Sequence, residues 1–257
     1  SSEEMKELAF AVDRAGEGTL EIVSDWLDQE IEMSWMKEYV EKSDCGLTVL
    51  QTNGDSVKTI LYCEEQFLKG KNVRPQFPGR NVGLMFGLES SLHPFIGHPS
   101  YKEISHLPLN ERLSIMRDPT FKQKILNESP SFREDIQKAA KEQKSNKTKE
   151  EIKAEAEIGK KLISNYETQF ILSDPPNYEP TREDSIAYLA EQRNLSEEEV
   201  IYDELIKDDG KSLIYACFTP YENHKLDFVE RAYGLKSSVA GGSDGGAHCG
   251  LICDASM

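Results

Sequence analysis

Hydrophobic positions in the first third of the chain follow two periodicities in turn. Apolar side chains recur every three to four residues in three segments, which predicts amphipathic helices beginning near Met5, Trp26 and Ser56. Short runs rich in β-branched residues lie between and after them and predict strands at 19–24, 47–52 and 72–77. This alternation indicates parallel βαβ units, because a helix between two parallel strands returns the chain to the same end of the sheet.

The rhythm changes between residues 83 and 166. This segment opens with a loop rich in glycine, proline and histidine, GLESSLHPFIGHPSY, and continues as charged helices with no predicted strand between them. Residues 138–161 are so rich in lysine and glutamate that we expect them on the surface. We interpret 83–166 as an insertion into the α/β pattern.

The α/β pattern returns in the last third of the chain. A strand is predicted at 168–172, and helices begin at the capping boxes of Thr181 and Ser196. Two more strands are predicted at 212–218 and 238–243. The expected organisation is an α/β fold with βα units in 1–82, the insertion in 83–166 and further βα units in 167–257.

The charge of the chain limits its partners. The formal net charge is −16 and the sequence pI is about 4.8, so the averaged field repels phosphate backbones and anionic lipid surfaces. No apolar run approaches the roughly 18 residues that a membrane-spanning helix requires. We therefore expect neither a nucleic-acid partner nor a membrane.

The five cysteines indicate a reducing compartment. They are odd in number and show no CxxC spacing, which argues against a disulfide framework and against a structural zinc knuckle. The chain begins at Ser1 without a signal-peptide pattern. The expected location is the cytoplasm.

A carboxylate follows the last predicted strand, in the segment SSVAGGSDGGAHCG. In parallel α/β folds, active sites form at the carboxyl ends of the strands. Asp244 at that place would ligate a metal or act as a general base, with His248 four residues further on. The alternative is a turn in which Asp244 caps the next helix.

His93 and His98 are five residues apart in the loop that opens the insertion. Such a pair would bind a metal or an anionic substrate, or would pack within the loop. His106 and His224 have no partner at metal-binding spacing and are interpreted as structural. The sequence also lacks the motifs of dinucleotide-binding proteins, P-loop enzymes, serine hydrolases and zincins.

Four stretches resemble one enzyme family. The closing stretch GSDGGAHCGLICDAS resembles the last-strand motif of the D-aminoacylase branch of the amidohydrolase superfamily. Three further stretches resemble the same branch, VRPQFPGRNVGLMFGLESSLHPF, LSDPPNYEP and YACFTPYENHKLDFVERAYG. Together they extend the resemblance over most of the chain.

The resemblance implies a fold, an activity and a site. It implies a (β/α)8 TIM-like barrel that hydrolyses the amide bond of an N-acyl-D-amino acid or a similar small amide, with zinc in the full-length family member. Asp244 is the matching position for the carboxylate that binds the metal and shuttles the proton. Ser243, His248 and His93 would contact the substrate. Residues 83–166 would be a lid over the active site.

The chain also departs from the family pattern. It contains no His-x-His pair, and Gln51 in LTVLQTNG and Gln76 in VRPQFPG stand where the family has metal-binding histidines. The resemblance therefore implies a partial barrel, cut soon after its last strand and inactive by itself. Whether this chain binds zinc stays open, and uncovered strand edges would favour self-association.

Three functional hypotheses follow from the sequence. The first is a piece of a metal-dependent amidohydrolase with Asp244 as its catalytic carboxylate. The second is a non-catalytic relative of the same fold that binds a small acyl-amino compound, which Gln51 and Gln76 favour. The third is an interaction protein that uses the charged residues 138–161 as a docking surface.

Overall fold

The computed structural model describes residues 2–24, 28–51, 57–130, 163–242 and 252–254. The chain divides into two compact units. The first contains Ser1–Val82, Thr219–Gly245 and Ala255–Met257, and the second contains Gly83–Phe218 and Gly246–Asp254.

The first unit has alternating helices and strands, as its hydrophobic pattern predicts. Asp28 begins the second helix, where its side chain accepts a hydrogen bond from the backbone N–H of Ile31 at 3.1 Å. In chain order the elements are α1 (Ser2–Ala15), β1 (Thr19–Ile22), α2 (Gln29–Lys42), β2 (Gly46–Leu50), α3 (Val57–Leu68), β3 (Val73–Phe77) and, after the second unit, α9 (Asp227–Tyr233) and β7 (Val239–Ala240).

The strands of the first unit form one parallel sheet in the order β1-β2-β3-β7. Leu47 pairs with Leu20 of β1 and with Val73 of β3, and Gln76 pairs with Val239 of β7. The strand β7, about 160 residues beyond β3 in the sequence, thus extends the sheet of the first three strands. The fold is α/β with a parallel sheet.

The two faces of this sheet differ. Side chains alternate between faces along a strand. One face carries Leu47, Val49 and Val73, which are buried in a cluster with residues of the helices. That cluster contains Ala9, Ile22, Trp35, Met36, Tyr39, Val40 and Cys63 as well. The other face carries Thr48, Leu50 and Gln76, which are partly exposed.

The return of the chain to the first unit is held by specific contacts. The Glu64 carboxylate accepts hydrogen bonds from the backbone N–H and the hydroxyl of Ser237, just before β7. The Tyr233 hydroxyl donates to the backbone carbonyl of Phe77 at 2.9 Å. Phe77 and Phe228 meet edge to face at a centroid distance of 5.6 Å. These contacts place β7 beside β3.

The second unit is built around its own sheet and core. Its elements are β4 (Val82–Phe86), α4 (Pro99–Ile104), α5 (Leu109–Met116), α6 (Pro119–Leu126), β5 (Gln169–Ile171), α7 (Ile186–Arg193), α8 (Glu197–Leu205), β6 (Ile214–Thr219) and β8 (Ile252–Asp254). The sheet order is β5-β6-β4-β8, and both β4 with β8 and β5 with β6 are antiparallel. The Tyr202 hydroxyl donates to the carbonyl of Met116 at 2.8 Å inside this core.

The organisation differs from the sequence expectation in two places. The strand β4 lies in the segment interpreted as loop and helices, and β5 and β6 belong to the second unit although the sequence grouped 167–218 with the βα units. Antiparallel pairing explains the second difference, since strands so paired need no crossover helix. In the part of the chain that the structure describes, no helix combines the length and apolarity needed to cross a membrane.

Candidate functional site

The candidate site is the carboxyl edge of the parallel sheet in the first unit. The strands β2, β3 and β7 end there at Leu50, Phe77 and Ala240. Because the strands are parallel, the residues that follow them meet along one edge, the usual location of active sites in α/β proteins. We call this edge, formed by Leu50, Gln51, Gln76, Gly241 and Gly242, the carboxyl edge.

Gln76 occupies the centre of the carboxyl edge. It pairs with Leu50 on one side and with Val239 on the other. Its side chain is half-buried, and its buried amide oxygen Oε1 has no hydrogen-bond partner among the residues that the structure describes. A buried acceptor without a partner costs on the order of 1–3 kcal/mol, so this oxygen needs an explanation.

Two glycines shape the end of β7 beside Gln76. A Cβ atom on Gly241 would lie 1.9 Å from Nε2 of Gln76, so the carboxamide occupies the space that a side chain would fill. Gly242 has a φ of +86°, and a Cβ there would lie 2.8 Å from Cδ1 of Leu50. Sequence reasoning missed these two residues, for which the available signal was the Gly241-Gly242 pair.

Gln51 lies at the same edge but on the opposite face. Leu50 pairs with Gln76, so side-chain alternation turns Gln51 toward the helix-covered face of Leu47 and Val49. Gln51 is fully buried, and its Nε2 donates to the carbonyls of Val49 and Leu50 at 3.2 Å each. Within the described ranges, its Oε1 also has no hydrogen-bond partner. The two glutamines that the sequence treated as equivalent therefore do not face one ligand.

Three of the residues predicted to act in catalysis or binding, Ser243, Asp244 and His248, lie outside the described residues. So do residues 138–161, the predicted docking surface. Before this motif the chain is described up to Gly242, two residues after β7 ends. What the structure establishes is the position of the strand that leads into the Ser243–His248 motif.

The described residues do not fit a zinc site at the carboxyl edge. Structural and catalytic zinc is held by imidazole, thiolate and carboxylate groups. Gln51 and Gln76 offer carboxamide oxygens on opposite faces. Within the described ranges, no three or more His, Cys, Asp and Glu side chains come together as a metal-binding group.

His93 lies in the second unit, within its core. Its side chain is 1% exposed and its ring meets that of Tyr101 at a centroid distance of 4.5 Å. Nδ1 accepts a hydrogen bond from the backbone N–H of Phe95 at 3.3 Å. Burial, with the nearby Arg112 guanidinium and His98, lowers the pKa of His93 to about 3, so the ring is neutral at physiological pH.

His98 is the second buried histidine of the same loop. It is 6% exposed, and its ring lies 5.4 Å from that of Phe95. Burial lowers the pKa of His98 against the opposing effect of Glu128. Both histidines therefore occupy packed positions in the fold of the second unit, with the solvent-shielded rings that a structural role requires.

In comparisons with known proteins, no family model, curated protein or solved structure matches the chain.

Proposed function

We propose that this chain carries part of the catalytic region of an amidohydrolase of the D-aminoacylase type, which hydrolyses an N-acyl-D-amino acid or a similar small amide. The observation that supports it best is the parallel pairing of β7 with β3. This pairing brings the strand that precedes the Gly-Ser-Asp-Gly-Gly-Ala-His motif beside Gln76. The motif therefore begins at the edge where α/β enzymes build their sites.

Chain connectivity supports a role for Asp244. It follows Gly242, the last described residue before the motif, by two positions in the sequence. In the proposal, the Asp244 carboxylate accepts a proton from the attacking water and delivers it to the leaving amide nitrogen. Ser243 and His248 contact the substrate.

We further propose a barrel fold for the first unit. We take β1, β2, β3 and β7 as strands of a (β/α)8 barrel, in which the partly exposed face with Thr48 and Gln76 would line the interior. Because the described edge residues do not fit zinc, no step of the proposal passes through a metal.

The test is hydrolysis of a panel of N-acetyl-D-amino acids, measured as released amine, together with metal content by mass spectrometry. The chain is compared with Asp244→Asn and with Asp227→Asn, the same substitution at an exposed carboxylate of the first unit. We expect turnover in the parent and in Asp227→Asn, against the inactivity that the resemblance implies for a partial barrel, and a loss of about 10²- to 10⁴-fold in Asp244→Asn. Equal turnover in both variants, or none in the parent, would exclude the proposal.

A second function has its own support. The carboxamides of Gln51 and Gln76, at positions where the family places histidines, favour a non-catalytic relative that binds a small acyl-amino compound. The same panel separates the two functions. Saturable binding of an N-acetyl-D-amino acid, with no metal and no released amine, would establish the binding function over the enzymatic one.

A further inference from the structure

The amide oxygen of Gln76 is the buried acceptor on the face of the sheet that the helices leave partly exposed. Its neighbours on that face, Thr48, Leu50 and Val239, are also partly exposed. The backbone of Gln76 is fixed, because its carbonyl accepts a hydrogen bond from the N–H of Gln51 at 2.9 Å. The side chain thus carries an unsatisfied acceptor on a rigid strand.

Gly241 makes the position of this carboxamide possible. A Cβ on residue 241 would lie 2.3 Å from Cγ and Cδ of Gln76 as well as 1.9 Å from Nε2. Such distances are far below van der Waals contact, so any side chain at 241 would displace the carboxamide. The Gln76 amide and the Gly241 backbone form one unit, and Asp244 follows Gly241 by three positions in the sequence.

The chemistry of a carboxamide defines what it recognises. It is neutral, it offers one acceptor oxygen and one donor nitrogen, and it pairs with another amide. An N-acyl amino acid has one N–H donor, on the nitrogen of the bond that an amidohydrolase cleaves. A hydrogen bond from that N–H would satisfy Oε1 of Gln76 and recover the cost of its burial.

We propose that Gln76 recognises the amide N–H of the ligand by accepting its hydrogen bond, where the family pattern has a metal-binding histidine. This inference rests on the proposed function, because it names how the same edge holds an acyl-amino compound. It assigns Gln76 as a binding residue and Gly241 as the residue that positions it. Gln51, on the opposite face, takes no part.

The test compares two ligands that differ by one atom group, N-acetyl-D-phenylalanine and its ester analogue O-acetyl-D-phenyllactate. The ester has an oxygen in place of the N–H and cannot donate. Affinities are measured by calorimetry on the full chain with Asp244→Asn, so that turnover does not consume the amide. The ratio of the two affinities reports the N–H contact.

We expect the amide to bind about 5- to 10-fold more tightly than the ester when Gln76 is present, the range of one net hydrogen bond. In Gln76→Leu the ratio should fall several-fold toward that of a ligand without the contact. Gly241→Ala should lower the ratio as well, although it keeps Gln76. Gln51→Leu, the matched change on the other face, should keep the ratio of the parent.

The outcomes separate the two proposals. If both ligands bind and Gln76→Leu leaves the ratio unchanged, the role of Gln76 is wrong and the proposed function stands. The same holds if Gln51→Leu lowers the ratio as much as Gln76→Leu does. If neither ligand binds any of the proteins at millimolar concentration, the proposed function fails and the inference fails with it.

Discussion

Two buried histidines couple the second unit to pH. His93 and His98 are 1% and 6% exposed, and burial lowers the pKa of both below the ordinary value of 6.5. As pH falls, the unfolded chain binds these protons before the folded chain does. The stabilisation is therefore complete above about pH 6.5 and is lost as pH falls toward the folded-state pKa, about 3 for His93.

For His93 the expected loss is measurable. A pKa lowered from 6.5 to about 3 corresponds to roughly 2 kcal/mol less stability at about pH 5 than at about pH 8. His93→Phe keeps an aromatic ring against Tyr101 and removes the titrating group, so it should reduce this difference by about that amount. The measurement is urea unfolding at the two pH values.

His106→Gln provides the control, because His106 is exposed in the same unit. It should leave the pH difference of the parent unchanged. A difference as large in His93→Phe as in the parent would show that other groups cause the acid sensitivity.

At the residue scale, sequence reasoning could identify Gln51 and Gln76 as differences from the family pattern that the sequence resembles, but not the orientations of their side chains. The side chains of neighbouring strands share a face only when the register pairs them, and the register pairs Gln76 with Leu50. That register cannot be read from the sequence alone. The steric role of Gly241 was also out of reach, since it depends on where the Gln76 carboxamide lies.

Among the elements, β7 depends most on contacts far away in the sequence. It is two residues long, so only two residue pairs join it to β3. The carboxylate of Glu64, on α3, accepts hydrogen bonds from the hydroxyl and from the backbone N–H of Ser237, and these hydrogen bonds hold the pKa of Glu64 below its usual value. Glu64 thus fixes the residues that lead into β7.

Glu64→Gln should loosen this strand. A neutral amide accepts weaker hydrogen bonds than a carboxylate, so we expect a loss of about 1 kcal/mol. Amide hydrogen exchange should accelerate at residues 236–241 before the strands β1 and β2 are affected. Mass spectrometry of peptic peptides that cover these segments makes the measurement.

Glu65→Gln is the matched control. Glu65 is the next residue on α3, and its ion pair with Lys69 is more than half exposed on both sides, so its loss should cost little. Comparable acceleration at 236–241 in both variants would contradict the role of Glu64.

The element order was predictable where local and tertiary signals agree. The alternation of helix and strand over the first 77 residues was confirmed as an α/β fold because apolar spacing there matches the buried face of each element. The strand β4 was not predicted, since glycine and proline around Val82–Phe86 resemble a loop. Its strand state comes from pairing with β8, about 165 residues away.

At the scale of the whole molecule, the main hydrophobic clusters of the two units have no residue in common. Leu47, Val49 and Trp35 belong to a cluster formed by the first unit, and Phe95, Tyr202 and Ile214 belong to one formed by the second. The insertion of one unit within the sequence of the other explains why a distant segment supplies β7. The carboxyl edge therefore depends on the fold of the first unit, and the buried histidines on that of the second.

This division predicts that damage to one core appears first in its own unit. Tyr202→Phe removes the donor to the buried carbonyl of Met116 and should cost about 1–3 kcal/mol, because that oxygen loses its partner. Hydrogen exchange should accelerate in α7, α8 and β6 while α2 and β2 keep their protection. Glu64→Gln should give the opposite pattern, with the first unit affected and α8 unchanged.

The pair of variants is stronger than either one alone, because each serves as the control of the other. General loosening would accelerate exchange in both units in each variant, whereas separate cores give two patterns that do not overlap. If Tyr202→Phe and Glu64→Gln gave the same exchange map, the chain would unfold as a single cooperative body. In that case the acid sensitivity of His93 would destabilise both units together as pH falls below about 6.5.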